Sequence, residues 1–369
     1  MVEHKKILFL TLKVFAATGG IEKMNCIAAK ALYDTGWDVR LFSSYDKSSI
    51  ENKYFPANIF SAFNQKKIQF VVKSIQAGVK SDIVLLSHIN LLSVGYCIKL
   101  LSPKTKLVLF AHGVEIWKPL SYLKKIMISK CDQIFAVSNF TNDKIRQLGY
   151  IGKSKSIVLN NCLDPFLGKV NNNIKSNDLL SKYGLTNKDF VLLTLTRLSS
   201  DEKYKGYDKV LKCLQSLIVE YPGLRYLIIG KYDAEEKLRM DKLIDSMKLN
   251  HVVIFSGYIP DEELSNHYKL ADLYIMPSLG EGFGIVFIEA MYYNLPVIAG
   301  NKDGSVDALL NGQLGLLVNP DKEEEIATVI RKVIDNKSAF KPNHDLLMKN
   351  FSYSVYKEKL NNALKNLMN

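Results

Sequence analysis

PSLGEGFGIVFIEAMYYNLPVIA, Pro277 to Ala299, is the stretch that decides the fold. A strand ends at Pro277, and a loop carrying Gly280, Gly282 and Gly284 opens a helix. Pro296–Ala299 then begins the next strand. Glycines let backbone N–H groups come close to a ligand, and a helix N-terminus favours an anion there. The helical part, Ile285-Val286-Phe287-Ile288-Glu289-Ala290-Met291, is apolar nearly all round. A lone carboxylate in it, Glu289, is costly to bury without a partner. Glu281 lies eight residues earlier, in the loop, so the two do not form an acid/base pair on one turn. They suit two anchors along one polyhydroxylated ligand. The bland alternative has Glu281 capping the helix and Glu289 satisfied by a neighbour.

Outward from this stretch, strand-like runs alternate with helical patterns. In the first half they are Lys6–Leu12, Asp38–Ser43, Asp82–Ser87, Lys106–His112, Gln133–Ser138 and Ser156–Leu159. In the second they are Phe190–Thr196, Leu224–Gly230, His251–Gly257, Asp272–Met276, Pro296–Ala299 and Gly315–Val318. Most are apolar on consecutive residues, which marks strands covered on both faces, as in a parallel sheet between helices. The expectation is two doubly wound α/β domains in series. Asn160–Asn177 holds six Asn and little apolar periodicity, and reads as the linker region. The expected division is 1–165 together with a final helix at about 352–369, a linker at 166–177, and 178–351. Tyr207–Tyr221 is the clearest helix, with Tyr207, Val210, Leu211, Leu214, Leu217 and Ile218 on one stripe.

Three further constellations carry chemistry. In Thr196–Asp208, TRLSSDEKYKGYD, Arg197 falls at a strand end and Lys205 at a helix start, a natural clamp for a diphosphate. Thr18-Gly19-Gly20-Ile21-Glu22 places a glycine pair between the first strand and a helix over Ile21–Tyr33. It is either a set of backbone donors or a tight turn. His112 ends a strand on the side where open α/β sheets bind ligands, although a packed or capping histidine is the ordinary reading. No Asp-x-Asp pair occurs, so the common carboxylate grip on a nucleotide-bound metal is missing. The G-x-G-x-x-G, P-loop and G-x-S-x-G motifs are missing too.

Composition bounds these readings. Of 369 residues, 47% are hydrophobic and 23% charged, which excludes wholesale disorder. Five cysteines without a C-x-x-C pair read as reduced cytosolic thiols. The first apolar run ends at Lys13, too soon for a signal peptide. The longest uncharged apolar stretch, Ile83–Ile98, falls short of the ~18 residues of a spanning helix, so no transmembrane segment is expected.

The net charge is +12, and residues 1–165 hold 23 basic against 11 acidic residues while 166–369 hold 26 of each. A basic half beside a neutral half suggests different partners. Within it, Phe63–Lys80 and Ile116–Lys130 interleave lysines with bulky apolar residues, the pattern of a helix lying in a lipid interface. The alternative is two ordinary helices packed on the sheet. Nucleic acid is not expected, since no recognition motif accompanies the charge.

Glu281 to Glu289 matches the E-x7-E signature, and the chain resembles the retaining nucleotide-sugar glycosyltransferases of family 4 over nearly its whole length. Gly19-Gly20-Ile21-Glu22 looks like that family's N-terminal glycine loop, and Val137-Ser138-Asn139 like the end of its fifth strand region. Asn160-Asn161-Cys162-Leu163-Asp164 is similar to its N-G-V-D, with Cys162-Leu163 in place of Gly-Val. Arg197 and Lys205-Gly206 match its basic pair, and Gly257-Tyr258-Ile259-Pro260 the loop that holds the base. Lys231 and Asp307 depart from its usual residues.

The resemblance implies the GT-B fold, two Rossmann-like domains facing across a cleft, with the final helix crossing back to the first domain. It also implies metal-independent hexosyl transfer from a nucleoside diphosphate sugar (UDP-sugar before GDP-mannose) to an acceptor hydroxyl. No cofactor is implied. The C-terminal domain would bind the donor and the basic N-terminal domain the acceptor, a glycan or lipid-linked glycan at the inner membrane face in polysaccharide assembly. Glu281, Arg197, Lys205 and His112 would carry the chemistry. Gly19, Gly20, Gly230, Tyr258, Ile259, Gly282, Phe283, Gly284, Ile285 and Glu289 would complete the donor site. An epimerase or phosphorylase on this fold would need further carboxylates and histidines or a cofactor lysine. A non-catalytic sugar-binding protein should lack the Arg197, Lys205, Glu281 and Glu289 set.

Overall fold

The computed structural model describes residues 5–16, 19–47, 52–152, 155–168, 170 and 175–369. Thr18 and part of the linker region (169 and 171–174) lie outside them. The chain divides into two compact units, Met1–Pro165 with Phe351–Asn369, and Phe166–Asn350. Each is built on one parallel sheet.

The N-terminal unit contains β1 (Lys6–Thr11), β2 (Asp38–Ser43), β3 (Phe60–Ala62), β4 (Ile83–Leu86), β5 (Lys106–Ala111), β6 (Gln133–Ala136) and β7 (Ser156–Val158). Their order across the sheet is β3-β2-β1-β4-β5-β6-β7, every pairing parallel. The C-terminal unit contains β8 (Phe190–Leu195), β9 (Leu224–Ile229), β10 (Val253–Gly257), β11 (Leu273–Met276), β12 (Val297–Gly300) and β13 (Leu316–Val318). Their order is β10-β9-β8-β11-β12-β13, again all parallel.

Burial explains these strands. β4, Ile83-Val84-Leu85-Leu86, is buried at every residue because helices cover both faces of a parallel sheet. Each apolar run read from the sequence overlaps a strand, with β12 ending one residue beyond its run. The exception is β3, which the sequence reading missed: exposed Ser61 between two half-buried residues, paired with β2 at the sheet edge. The helix Tyr207–Glu220 forms because its apolar stripe fits the sheet. Tyr207, Val210, Leu211, Leu214 and Leu217 are all fully buried. Cutting one such leucine to alanine costs about 2–5 kcal/mol.

One helical reading is corrected. Ile116–Lys130 is not one helix but two, Val114–Trp117 and Tyr122–Ser129. Pro119 has no N–H to give and pushes Lys118 into an extended conformation, so the first helix stops there. Within the two lysine-rich segments, Phe63, Phe70, Ile116 and Ile128 are buried in the core.

The final helix, Tyr353–Met368, packs on the helix Gly20–Asp34 within the N-terminal unit. Trp37 Nε1–H donates to Asn361 at 3.0 Å, and Tyr353 OH to Asp34 at 2.7 Å.

Candidate active site

Both sheets wind in opposite directions from a central strand, so each has one switch point: β1/β4 in the first and β8/β11 in the second. Open α/β sheets bind ligands at the carboxyl ends of those two strands. In the C-terminal unit the switch-point ends are Thr196-Arg197 after β8 and residues 277–284 after β11.

The chain after β8 folds onto the loop after β11. Leu279 N–H donates to the Tyr204 carbonyl at 2.8 Å, and Gly280 lies against the Tyr204 ring. Gly206 sits at φ +77, and any Cβ there would overlap the Pro277 carbonyl, so only glycine lets the two loops meet. That meeting joins Lys205 to Glu281 in an ion pair whose side chains are only 15% and 16% exposed. Burial alone would pull the Lys205 ammonium down, but the Glu281 carboxylate outweighs it and holds the pKa above its ordinary value.

Arg197 pairs with Glu202 from a side chain that is 66% exposed. Burial raises the Tyr204 hydroxyl, and the charges of Lys205, Glu202, Glu281 and Arg197 all reach it. The structure therefore gathers Arg197, Lys205 and Glu281 in one corner, with Glu202 and Tyr204 among them.

Gly282, Phe283 and Gly284 complete the loop, and Ile285 starts the helix Ile285–Tyr292. Glu289 stands on that helix, 3% exposed, and accepts a hydrogen bond from Tyr268 OH at 3.0 Å. Around it Tyr268 stacks on Tyr293, with centroids 5.3 Å apart. Burial, then the charge of Glu289, pushes the Tyr268 hydroxyl up, so the phenol stays a donor. At the neighbouring strand ends, Gly230 N–H after β9 donates to the Gly257 carbonyl at 2.9 Å. Tyr258 and buried Ile259 follow β10, and the Lys231 ammonium lies 4.5 Å from the Tyr258 ring centroid.

One carboxylate beside this corner escaped the sequence reading. Asp303, in the turn after β12, is 1% exposed. Its Oδ2 accepts from Ser278 OH and Glu281 N–H, both at 2.7 Å, and its Oδ1 from Ser305 N–H at 2.9 Å and Ser305 OH at 2.5 Å. Burial pushes it up to about 6, against hydrogen bonds that favour its charged form. Glu202 also went unassigned, one acid inside an Asp-Glu-Lys-Tyr-Lys run. The local sequence flags neither, because each takes its role from the loop it faces.

In the N-terminal unit, Gly19 is extended and precedes the helix Gly20–Asp34. His112 follows β5. Its Nε2–H donates to the Ser87 carbonyl at 3.0 Å, and its backbone N–H to Glu115 at 2.6 Å. A carbonyl only accepts, so Nε2 carries the proton and Nδ1 is left as the acceptor. Burial lowers the imidazole from 6.5 to about 4, outweighing the Ser87 bond. His112 is thus a neutral hydrogen-bonding group. It borders a small cavity with Asn25, Asn161 and Tyr356. Buried Asp46, after β2, accepts from Val14 N–H at 2.7 Å and Phe15 N–H at 2.9 Å and so fixes the segment that follows β1.

Comparison with known proteins bears on both units. Residues 176–354 match the family model "Glycosyl transferases group 1", and residues 18–165 match "Glycosyltransferase Family 4". An uncharacterized glycosyltransferase of Haemophilus influenzae is 27% identical over 357 residues, 91% of this chain and 92% of that protein. Alpha-monoglucosyldiacylglycerol synthase of Acholeplasma laidlawii is 27% identical over 58% of this chain, a match spanning 53% of that enzyme. HepE of Anabaena, solved with UDP and glucose, superposes with a TM-score of 0.81 at 20% identity, covering 98% of this chain and 100% of that one. With both halves matched and both sheets in the Rossmann order, the chain belongs to the group 1, family 4 glycosyltransferases of the GT-B fold.

Proposed function

We propose that the chain transfers a hexosyl group, with retention at the anomeric carbon, from a nucleoside diphosphate sugar to an acceptor hydroxyl. The observation that carries this reading is the corner at the β8/β11 switch point, where Arg197, Lys205 and Glu281 converge. The leaving nucleoside diphosphate gains negative charge as the glycosidic bond breaks. Lys205, kept cationic by Glu281, and Arg197 stabilise that charge. Among the described residues Arg197 makes one ion pair, worth about 0–1 kcal/mol because the side chain is largely exposed, so it exchanges Glu202 for a phosphate at little cost. Glu281 orients a hydroxyl of the donor sugar. Glu289 accepts the ribose hydroxyls, which requires them to compete with Tyr268. Gly230, Tyr258 and Ile259 receive the base. Gly282, Phe283, Gly284 and Ile285 supply the helix start that faces the diphosphate. Gly19, Gly20 and His112 are assigned to the donor by the family resemblance alone, His112 as a neutral partner.

No covalent nucleophile is assigned, and the departing phosphate takes the acceptor proton. UDP is the favoured carrier, supported by the UDP held by HepE, with GDP-mannose next.

The acceptor reading is a lipid-linked glycan at an anionic membrane. In the N-terminal unit the helices Lys67–Gly78, Leu92–Leu101 and Tyr122–Ser129 lie side by side. They expose Ile68, Val72, Leu100, Leu101, Tyr122 and Leu123, with Lys66, Lys67, Lys73 and Lys125 exposed alongside. Each lysine engaged by an anionic leaflet adds about 1 kcal/mol. The A. laidlawii relative, named for a diacylglycerol product, supports the same direction. Among the described residues, no helix is long and apolar enough to cross a membrane.

The test is titration with UDP, GDP and ADP, followed by a donor screen with NMR of the product. UDP binding and an α-linked product from an α-linked donor are expected. Failure to bind any nucleoside diphosphate, or an inverted product, overturns the reading.

A further inference from the structure

We propose that Asp303 is a positioning residue for the transfer: its buried carboxylate fixes the backbone of Glu281, and so the direction in which the Glu281 side chain leaves the loop. This rests on the role of Glu281 given above.

Glu281 is tied at both backbone groups to the same turn. Its N–H donates to Asp303 Oδ2 at 2.7 Å, and its carbonyl accepts from Gly304 N–H at 2.8 Å. Gly304 lies so close that any Cβ would run into the Gly282 carbonyl, so the turn after β12 and the loop after β11 are pressed together. Three residues upstream of Glu281, Ser278 OH donates to the same Oδ2 at 2.7 Å. Ser305 fills Oδ1 with its N–H and hydroxyl, which fixes the plane of the carboxylate. The peptide groups on both sides of Glu281 are thus tethered, and the side chain between them is directed to Lys205.

Asp303 is 1% exposed, while Lys205 pairs with Glu281 and Arg197 with Glu202, so its action is indirect. The chemistry of the donors makes this specific to a carboxylate. Two of the four donors, the N–H groups of Glu281 and Ser305, can only donate. They face different oxygens. An asparagine at this position keeps the shape but turns an NH2 against one of the two amides, so one tether is lost whichever way it flips.

The test is a double-mutant cycle in the full chain: wild type, Asp303→Asn, Glu281→Gln and the pair. kcat and KM are measured with the UDP-sugar that the wild type uses, and Kd with UDP alone. Asp303→Asn should lower kcat about 100-fold, the usual effect of an ångström of misplacement. It should leave the Kd for UDP within about 3-fold, because UDP carries no sugar for Glu281 to hold. In the Glu281→Gln background the same change should cost less than about 3-fold, since a residue acting only through Glu281 has nothing left to position. Equal losses in both backgrounds, or UDP affinity falling in step with kcat, make Asp303 a merely structural residue and overturn the proposal. Wild-type turnover in Glu281→Gln overturns the role of Glu281 itself and, with it, any reason to position it. Should Asp303→Asn not fold, Ser278→Ala removes one hydroxyl from Oδ2 and keeps both amide tethers. It should slow kcat several-fold in the wild-type background and not in Glu281→Gln, and a loss in both refutes the proposal.

Discussion

Replacing Lys205 with methionine removes the cation and keeps most of the volume. The Glu281 carboxylate is then left 16% exposed with its ion-pair partner gone. Two unit charges 4 Å apart interact by about 4 kcal/mol at an effective dielectric of 20. Removing one member of a buried pair typically costs about 3–5 kcal/mol, because the remaining charge stays desolvated. This pair keeps some contact with water, so the lower end applies, about 3 kcal/mol for Lys205→Met. Adding Glu281→Gln removes the stranded charge and should return at least half of that loss. Turnover should be abolished in the single and double variants alike, so stability and activity separate.

Urea unfolding followed by far-UV circular dichroism measures the effect. Both tryptophans, Trp37 and Trp117, lie in the N-terminal unit, so their fluorescence reads that unit and serves as an internal control. A single variant within about 0.5 kcal/mol of wild type, or a double variant no more stable than the single, would mean that Glu281 does not depend on Lys205. The ion-pair reasoning would then be wrong.

The remaining predictions follow from other groups. His112 is depressed from 6.5 to about 4, so the unfolded chain binds the extra proton between those values and stability falls as pH drops through that window. The loss from this group between pH 7 and pH 5 is about 2 kcal/mol. Urea midpoints at the two pH values should show it in the wild type and a smaller loss in His112→Gln, and equal losses would refute it. Arg197→Ala should weaken UDP binding and cut kcat/KM by about 2–4 kcal/mol at the transition state, and unchanged kcat/KM would remove Arg197 from the clamp. Activity should survive saturating EDTA, because two side-chain cations stand where an Asp-x-Asp metal grip is missing. Loss with EDTA and recovery with Mn²⁺ would refute that. Co-sedimentation with anionic vesicles at low salt should be lost at high salt and weakened by Ile68→Ser with Leu123→Ser. A wild-type protein left in the supernatant at low salt sinks the membrane reading.

The parallel sheets were legible because burial on both faces leaves long apolar runs, as in Ile83–Leu86 and Leu224–Ile229. β3 left no such mark: an edge strand of three residues buries too little to shape its sequence. Ile116–Lys130 misled because its apolar residues divide between core and surface, a division that depends on the break at Pro119. Arg197 could be read from its place at the end of an apolar strand, and Lys205 and Glu281 from the glycines beside them, Gly206, Gly280 and Gly282. Asp303 could not. Its importance lies in which loop it faces, across 22 residues of chain, and an Asp-Gly-Ser turn looks the same when it is only a turn. Glu202 and Tyr204 were hidden for the same reason, since their partners are fixed by the way the two loops meet.

The loop after β11 has a thermodynamic consequence. Ser278 N–H is held by Met276, Leu279 N–H by Tyr204, and Glu281 by Asp303 and Gly304. Ordering a residue's backbone costs about 1–2 kcal/mol of conformational entropy. For this loop that cost falls within folding, before any ligand arrives. On the proposed function, the donor sugar then meets a Glu281 that is already positioned, and the free energy of that contact is not consumed in ordering the loop. Encounter should be limited by diffusion and orientation rather than by loop rearrangement, with a single-phase association of UDP in stopped flow. The same tethers should narrow the choice of donor, because reshaping the loop around a different sugar would mean breaking them.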